Sequence, residues 1–152
     1  MTAALLVTPE FTLVAPAAVR GPRLGPKTVL VADDDRTARE YGFGPRSPYR
    51  HYYGQLGFKL VRAGRANLFK DDPSLPDSVV TTDTLVDKLV IAGTPNQVVD
   101  DLLAFHEQVG DFGTLLYCGL DWVDPAIARR SMELMAEVVM PAVNNAISLG
   151  SR

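Results

Sequence analysis

Short apolar runs alternate along this chain with stretches whose apolar positions repeat at helical spacing. Residues 28–32 form a continuous, mainly β-branched apolar run, which predicts a short buried strand. Three aspartates, residues 33–35, follow it and can cap a helix over residues 36–41. Gly42 and Gly44 predict the end of that helix.

A second helix is predicted to start at Ser47 and Pro48, which suit the N-cap and first-turn positions. Its apolar stripe consists of Tyr49, Tyr52, Tyr53, Leu56 and Leu60. Residues 70–77 are charged and carry two prolines, so they predict a loop. A short helix is expected over residues 82–90. Its inward side consists of Leu85, Val86, Leu89 and Val90.

The tetrapeptide Thr94-Pro95-Asn96-Gln97 has the pattern of a capping box with proline in the first turn. It predicts an amphipathic helix from Pro95 that stops near Gly110. Residues 112–118 then predict a buried strand, because Leu115, Leu116 and Tyr117 are consecutive and a half-exposed strand would alternate.

Asp124 and Pro125 repeat the cap-plus-proline start, and apolar residues recur every three or four positions up to residue 146. Pro141 lies within this pattern and is expected to kink or terminate the helix, because proline lacks the amide donor. The order of strands and helices is that of βα units in a parallel sheet.

The bulk composition limits the classes of protein that remain. With 152 residues, 47% hydrophobic and 22% charged, the chain has the size and balance of one globular domain. A net charge of −3 argues against a nucleic-acid partner, and no apolar stretch approaches the length of a membrane span. The single cysteine, Cys118, favours a reducing, cytoplasmic location. Residues 1–26 are rich in proline and predict an irregular segment distinct from residues 27–152.

Several runs in family order resemble the C-terminus of luciferase-like flavin-dependent monooxygenases. They are Val90-Ile91-Ala92-Gly93-Thr94-Pro95, Gly113-Thr114-Leu115-Leu116-Tyr117-Cys118-Gly119-Leu120-Asp121-Trp122, and Arg129 to Met135 with Val139-Met140-Pro141. Val29-Leu30-Val31-Ala32-Asp33 and residues 71–78 resemble the preceding strand and insertion. The likeness covers about residues 28–148.

The resemblance implies an α/β fold that forms the C-terminal part of a (β/α)8 TIM barrel. It makes residues 28–32 the seventh strand and residues 112–118 the eighth, so a whole barrel of roughly 250 residues would need further βα units. Residues 36–93 would then be a long insertion, and the family carries a mobile cover of its active site there.

The same resemblance implies a flavin-dependent oxygenation chemistry. Family members use reduced FMN, supplied by a separate flavin reductase, and O2 to oxygenate a small organic substrate through a flavin hydroperoxide. Homo-oligomers are common among them. The loops that grip the flavin phosphate belong mainly to earlier strands, so we expect this chain to be inactive and to bind no FMN tightly by itself.

Candidate site residues follow the predicted strands. Gly119, Asp121 and Trp122 come after residues 112–118, where barrel enzymes place functional groups, and they are candidates for a substrate-pocket wall or for a structural corner. Many relatives have histidine where this chain has Leu120, which puts an acid or base role there in doubt. Gly93 and Thr94 are weak candidates for holding a phosphate at a helix N-terminus, with simple capping favoured.

Other polar residues have structural readings that compete with functional ones. His106 is expected to be a core histidine, and the run of residues 33–35 to be a helix cap, so no metal site is predicted. His51 with its neighbouring tyrosines could line a pocket, although aromatic core filling is favoured. Two alternatives to a monooxygenase are a non-catalytic partial barrel that binds a partner through open sheet edges and a flavin-storage module. Uncovered apolar helix faces and sheet edges predict self-association.

Overall fold

The structure, a computed structural model, describes residues 27–110 and 123–150 of the 152-residue chain. The elements are β1 (Thr28–Val31), α1 (Asp35–Phe43), α2 (Pro48–Arg62), α3 (Thr82–Leu89), β2 (Val90–Gly93), α4 (Pro95–Val109), α5 (Pro125–Leu134), a π-helical stretch (Met135–Val139) and α6 (Met140–Gly150). Two short 3-10 turns, Ala66–Leu68 and Asp77–Val79, lie between α2 and α3. The segment of residues 1–26 and the predicted strand at residues 112–118 lie outside the described residues.

A parallel pair of strands stands at the centre of the fold. β1 and β2 pair in register from Thr28 opposite Val90 to Val31 opposite Gly93. The first strand was predicted, but β2 was not, because Val90 was assigned to the end of a helix over residues 82–90 and residues 91–93 were assigned to no element. Helix α3 ends at Leu89 instead. A four-residue strand buried on both sides lacks the alternation that would distinguish it from a helix end.

The presence of β2 corrects the order of elements inferred from the resemblance. β2 lies between residues 28–32 and residues 112–118 in the sequence, so these two segments cannot be consecutive strands, seventh and eighth. Helix α4 also follows β2 directly, with Thr94 as its N-cap, and no insertion separates them. The insertion lies before β2.

Helices cover both faces of the strand pair. On one face, Val29, Val31 and Ile91 pack with residues of α4, α5, the π-helical stretch and α6. The side chains in this cluster are Val98, Leu102, Leu134, Met135, Val139 and Val143. On the other face, Leu30 and Val90 pack with α2 and α3 through Tyr49, Tyr53, Leu85, Val86 and Leu89. Most residues of the apolar helix faces that were expected to lack a cover therefore pack against each other and the strands, whereas Met132 is exposed.

The insertion packs as a layer of the fold on the strand pair, whereas a cover of an active site was expected; its mobility stays a prediction. Tyr49 and Tyr53 of α2 are 1% and 2% exposed, and Leu85, Val86 and Leu89 of α3 are equally buried. The loop between the two helices is also anchored, because the buried Lys70 ammonium donates to the Leu75 carbonyl at 2.7 Å and pairs with Asp77 at 2.6 Å. Burial on this scale stabilises the folded state and resists local opening.

Helix starts follow the sequence closely. Asp34 caps α1 by accepting from the Thr37 amide at 2.8 Å, and the Ser47 hydroxyl caps α2 by accepting from the Tyr49 amide at 3.1 Å. Gly42, however, lies inside α1 and does not end it. Gly44 is the C-cap residue of that helix.

The helix does not terminate at Pro141, because α6 continues through it, and the expected kink stays a prediction; the irregularity that the structure shows is a π-helical stretch just before this proline. The Met140 amide donates to the Met135 carbonyl, five residues back, and α6 continues through Pro141. The wider turn accommodates a proline that lacks an amide donor and whose ring would crowd the carbonyl four residues earlier.

The described residues thus confirm an α/β fold with parallel strands, and they do not include a closed barrel. Both strand faces are covered by helices, whereas a barrel turns one face of every strand inward. No helix in the described ranges is both long enough and apolar enough to cross a membrane.

A close approach of α1 to β2 at Gly42 yields a mutational test. A Cβ atom at Gly42 would lie 2.5 Å from the Ala92 Cβ atom of β2, so Gly42→Ala forces α1 away from the strand. We expect a loss of about 1–3 kcal/mol in the free energy of unfolding by urea denaturation, typical of an overpacked core. Ala92→Gly in the same chain should restore most of that loss.

Gly54→Ala in α2 is the matched control. A Cβ atom added at Gly54 would lie 3.1 Å from its nearest neighbour, the Thr82 hydroxyl oxygen, and that side chain can rotate away. It should change stability little, since alanine favours a helix over glycine. A Gly42→Ala protein as stable as the parent, and indifferent to Ala92→Gly, would contradict this packing.

Candidate functional site

The carboxyl ends of β1 and β2 meet at one edge of the fold, which is where α/β proteins place their functional groups. Asp33 and Asp34 follow β1, and Thr94 follows β2. The first turn of α5 lies beside the end of β1. Val31 and Ala32 at that end and Ile127 of α5 line the same cavity.

This cavity has a volume of about 250 Å3. It is lined by Val31, Ala32, Asp33, Asp34, Thr37, Ala126, Ile127 and Arg130. Pockets for drug-sized ligands or cofactors usually measure ~300–1,000 Å3, so this one suits a small group or part of a larger ligand.

Asp33 and Arg130 form the dominant electrostatic contact at the cavity. The Arg130 Nε atom donates to Asp33 Oδ2 at 2.9 Å, and Nη2 donates to Oδ1 at 2.8 Å. This two-point hydrogen bond with the guanidinium lowers the pKa of the Asp33 carboxyl and raises the pKa of Arg130. The pair ties α5 to the end of β1 and holds Asp33 ionised.

The neighbouring carboxylates have structural partners too. Asp34 accepts from both the amide and the hydroxyl of Thr37 at 2.8 Å, and these bonds lower its pKa. Asp35 pairs with Arg39 at 2.7 Å and accepts from the Gln97 amide group at 3.5 Å. The prediction that residues 33–35 serve as a helix cap is confirmed at Asp34, and no metal-binding cluster occurs in the described ranges.

Gly93 and Thr94 lie at the carboxyl end of β2, and their geometry favours capping over phosphate binding. The Gln97 side-chain oxygen accepts from the Thr94 amide at 2.8 Å and from its hydroxyl at 3.1 Å, within a capping box. Pro95 has no amide hydrogen. The first turn of α4 therefore offers a phosphate few free donors.

The electrostatic surroundings of α4 also disfavour an anion. A neighbouring groove of about 600 Å3 is lined by Asp35, Arg39, Phe43, Asp87, Ala92, Gln97, Asp100 and Asp101. Four carboxylates against one guanidinium make this groove acidic, and burial with the nearby Asp100 charge raises the pKa of Asp101. A phosphate would be repelled here.

The structure separates His51 from the tyrosines that were considered with it. His51 lines an open groove of about 650 Å3 with Arg46 and Arg50, near the start of α2. Tyr49 and Tyr53 instead fill the core, as aromatic packing predicted, and Tyr52 is 39% exposed. His106 is half-buried on α4, and no metal-binding group of side chains forms around it in the part of the chain that the structure describes.

Gly119, Asp121 and Trp122 lie outside the described residues, so their assignment to a pocket wall stays a prediction. The Asp33–Arg130 contact was missed, because the two residues are 97 positions apart and neither carries a motif. The one sequence feature that pointed to a polar contact here was the position of Asp33 just after a predicted strand.

Two comparisons with known proteins bear on this arrangement. The structure is similar to the oxygenating constituent of 3,6-diketocamphane monooxygenase from the CAM plasmid of Pseudomonas putida, a type II Baeyer-Villiger monooxygenase in complex with FMN. The TM-score is 0.63 at 27% sequence identity over 77% of this chain. In sequence, the chain is 37% identical over 57 residues to 4-hydroxyprotoasukamycin monooxygenase of Streptomyces nodosus subsp. asukaensis. The chain is thus similar, over part of their length, to flavin-dependent monooxygenases of the luciferase-like kind.

The relationship covers only part of those oxidoreductases. The chain spans 32% of the luciferase-like structural relative, and its match spans 15% of the Streptomyces monooxygenase. No model of a protein family matches the chain. The shared region in the structural relative thus amounts to about a third of a luciferase-like enzyme.

The titration of Asp33 tests the pair with Arg130. We expect a midpoint below the usual value of about 3.9 in a carbon-detected NMR titration, returning towards that value in Arg130→Gln. The pair stabilises the fold above the unfolded-state pKa, and this contribution disappears as the pH falls through the lowered folded-state pKa.

Arg39→Gln is the control, because Arg39 pairs with Asp35 and should leave the Asp33 midpoint unchanged. An Asp33 midpoint that is the same with and without Arg130 would show that the guanidinium does not hold this carboxylate.

Proposed function

We propose that this chain contributes C-terminal βα units to a flavin-dependent monooxygenase that oxygenates a small organic substrate with O2 and reduced FMN. The observation that carries the proposal is the similarity of 77% of the chain to a monooxygenase in complex with FMN. The sequence match to a second monooxygenase supports the same class of reaction. A separate flavin reductase would supply the reduced flavin.

The carboxyl edge of the strand pair does not fit the phosphate of FMN. That group needs several amide donors or free cations, and the helix starts at the carboxyl edge are capped by Asp34, Thr94 with Gln97, and Asp124. Arg130 is engaged by Asp33, and the α4 side of the edge is acidic. We therefore propose that this chain alone does not bind FMN tightly and is inactive alone.

The role left to these residues is support of the site. In such an enzyme FMN supplies the oxygen-activating chemistry, and the protein must position the reactants and keep water out. Apolar contacts on both strand faces, together with the Asp33–Arg130 pair, hold the carboxyl edge in place. Gly119, Asp121 and Trp122 remain our candidates for the wall of the substrate pocket.

Location and assembly are part of the proposal. We place the chain in the cytoplasm, which suits its single cysteine. Homo-oligomerisation would involve scattered exposed side chains such as Phe58, Met132 and Leu149, which are 60%, 55% and 62% exposed. Most of the apolar helix faces that were first expected to drive association pack on the strands, so these faces support association less than the sequence suggested.

A fluorescence titration tests the role in flavin binding. With purified chain, FMN fluorescence should show no saturable change up to about 100 µM protein, because the described edge offers the phosphate no site. Riboflavin titrated in parallel isolates the contribution of the phosphate, and the FMN-binding Pseudomonas relative is the positive control.

A dissociation constant near about 1 µM for FMN would contradict the proposal that the chain alone lacks a flavin site. If riboflavin bound equally well, the isoalloxazine ring alone would be held, and a flavin-storage module would become the better interpretation.

A further inference from the structure

The outer edge of β1, the side facing away from β2, is closed by side chains from two helices. The amide of Ala32 donates to the Gly93 carbonyl at 2.9 Å, so Leu30 and Ala32 direct their backbone groups towards β2. Alternation along a strand then turns the backbone groups of Val29 and Val31 to the opposite side. In a wider parallel sheet these groups would bond to another strand.

Two hydroxyl groups meet this outer edge. The Val31 amide donates to the Ser131 hydroxyl of α5 at 2.8 Å, and the Tyr49 hydroxyl of α2 donates to the Val29 carbonyl at 3.5 Å. Ser131 and Tyr49 are each 1% exposed. One residue of a parallel neighbouring strand would use its amide and its carbonyl to bond these same two groups.

Helix α5 is held across this edge at several points. Its N-cap residue, Asp124, donates its amide to the Tyr41 hydroxyl at 3.1 Å. Ile127 contacts the cluster on the α2–α3 face of the strands, and Leu134 belongs to the cluster on the opposite face. The helix therefore passes around the edge from one face to the other, and the Asp33–Arg130 pair fixes its middle.

We propose that α5 is a strap that closes the outer edge of β1, with the Ser131 and Tyr49 hydroxyls taking the place of one residue of a neighbouring strand. The edge needs closure, because an apolar strand with unpaired backbone groups is a template for adding another strand. The cost of leaving the buried Val31 amide without an acceptor makes Ser131 the positioning residue of the strap.

Amide exchange of the unmodified chain is the first test. By hydrogen exchange detected by NMR, the Val31 amide should be protected to within about tenfold of the Ala32 amide, although β1 has no strand on that side among the described residues. A Val31 amide that exchanges about a hundredfold faster than Ala32 would overturn the proposal without any mutation.

Ser131→Ala removes the acceptor and is the second test. The ratio of the Val31 to the Ala32 exchange rate should rise at least about tenfold, because only Val31 loses its partner. Light scattering at rising protein concentration should show more association than in the parent chain. Ser131→Thr keeps a hydroxyl and should reverse both effects.

Ser148→Ala is the matched control, since the Ser148 hydroxyl is exposed and donates to the Asn144 carbonyl within α6. It should change neither the exchange ratio nor the scattering. If Ser131→Ala behaves like Ser148→Ala in either measurement, α5 does not act as a strap.

Discussion

The fold depends on the burial of two short parallel strands. Four residues of β1 pair with four of β2, and such a pair has little stability in water unless both faces and both edges are covered. The two clusters of apolar side chains on opposite faces provide most of that cover. The helices are consequently arranged around the strands, and the long insertion before β2 becomes one of the two layers.

This arrangement explains what the candidate site can and cannot do. The carboxylates at the carboxyl edge are engaged by Arg130, Thr37 and Arg39, so they hold helices in place and are not set up as acids, bases or metal ligands. The helix starts there are capped from within the chain. The carboxyl edge therefore holds the helices in position and borders a small cavity. Such a supporting role suits a chain that matches about a third of a flavin monooxygenase.

Local chemistry was readable from the sequence, and long-range contacts were not. The caps at Asp34 and Ser47 and the capping box at Thr94 follow from neighbouring residues, and each is confirmed. β2 was missed because Val90 continues the helical pattern of α3 and the strand is too short to show an alternation of its own. The Gly42 contact with Ala92 and the bonds of Arg130 and Ser131 to β1 join distant residues, so no local pattern could indicate them.

The central claim is that one folded species covers both faces of the strand pair at once. Methyl–methyl nuclear Overhauser measurements on the purified chain test it most directly. The account predicts contacts from Leu30 to Leu85 or Val86 and from Val31 to Val98 or Val139 in a single set of resonances. Contacts on the Val31 face alone, with no contact between Leu30 and α3, would contradict it, because the insertion would then not be a layer of this fold.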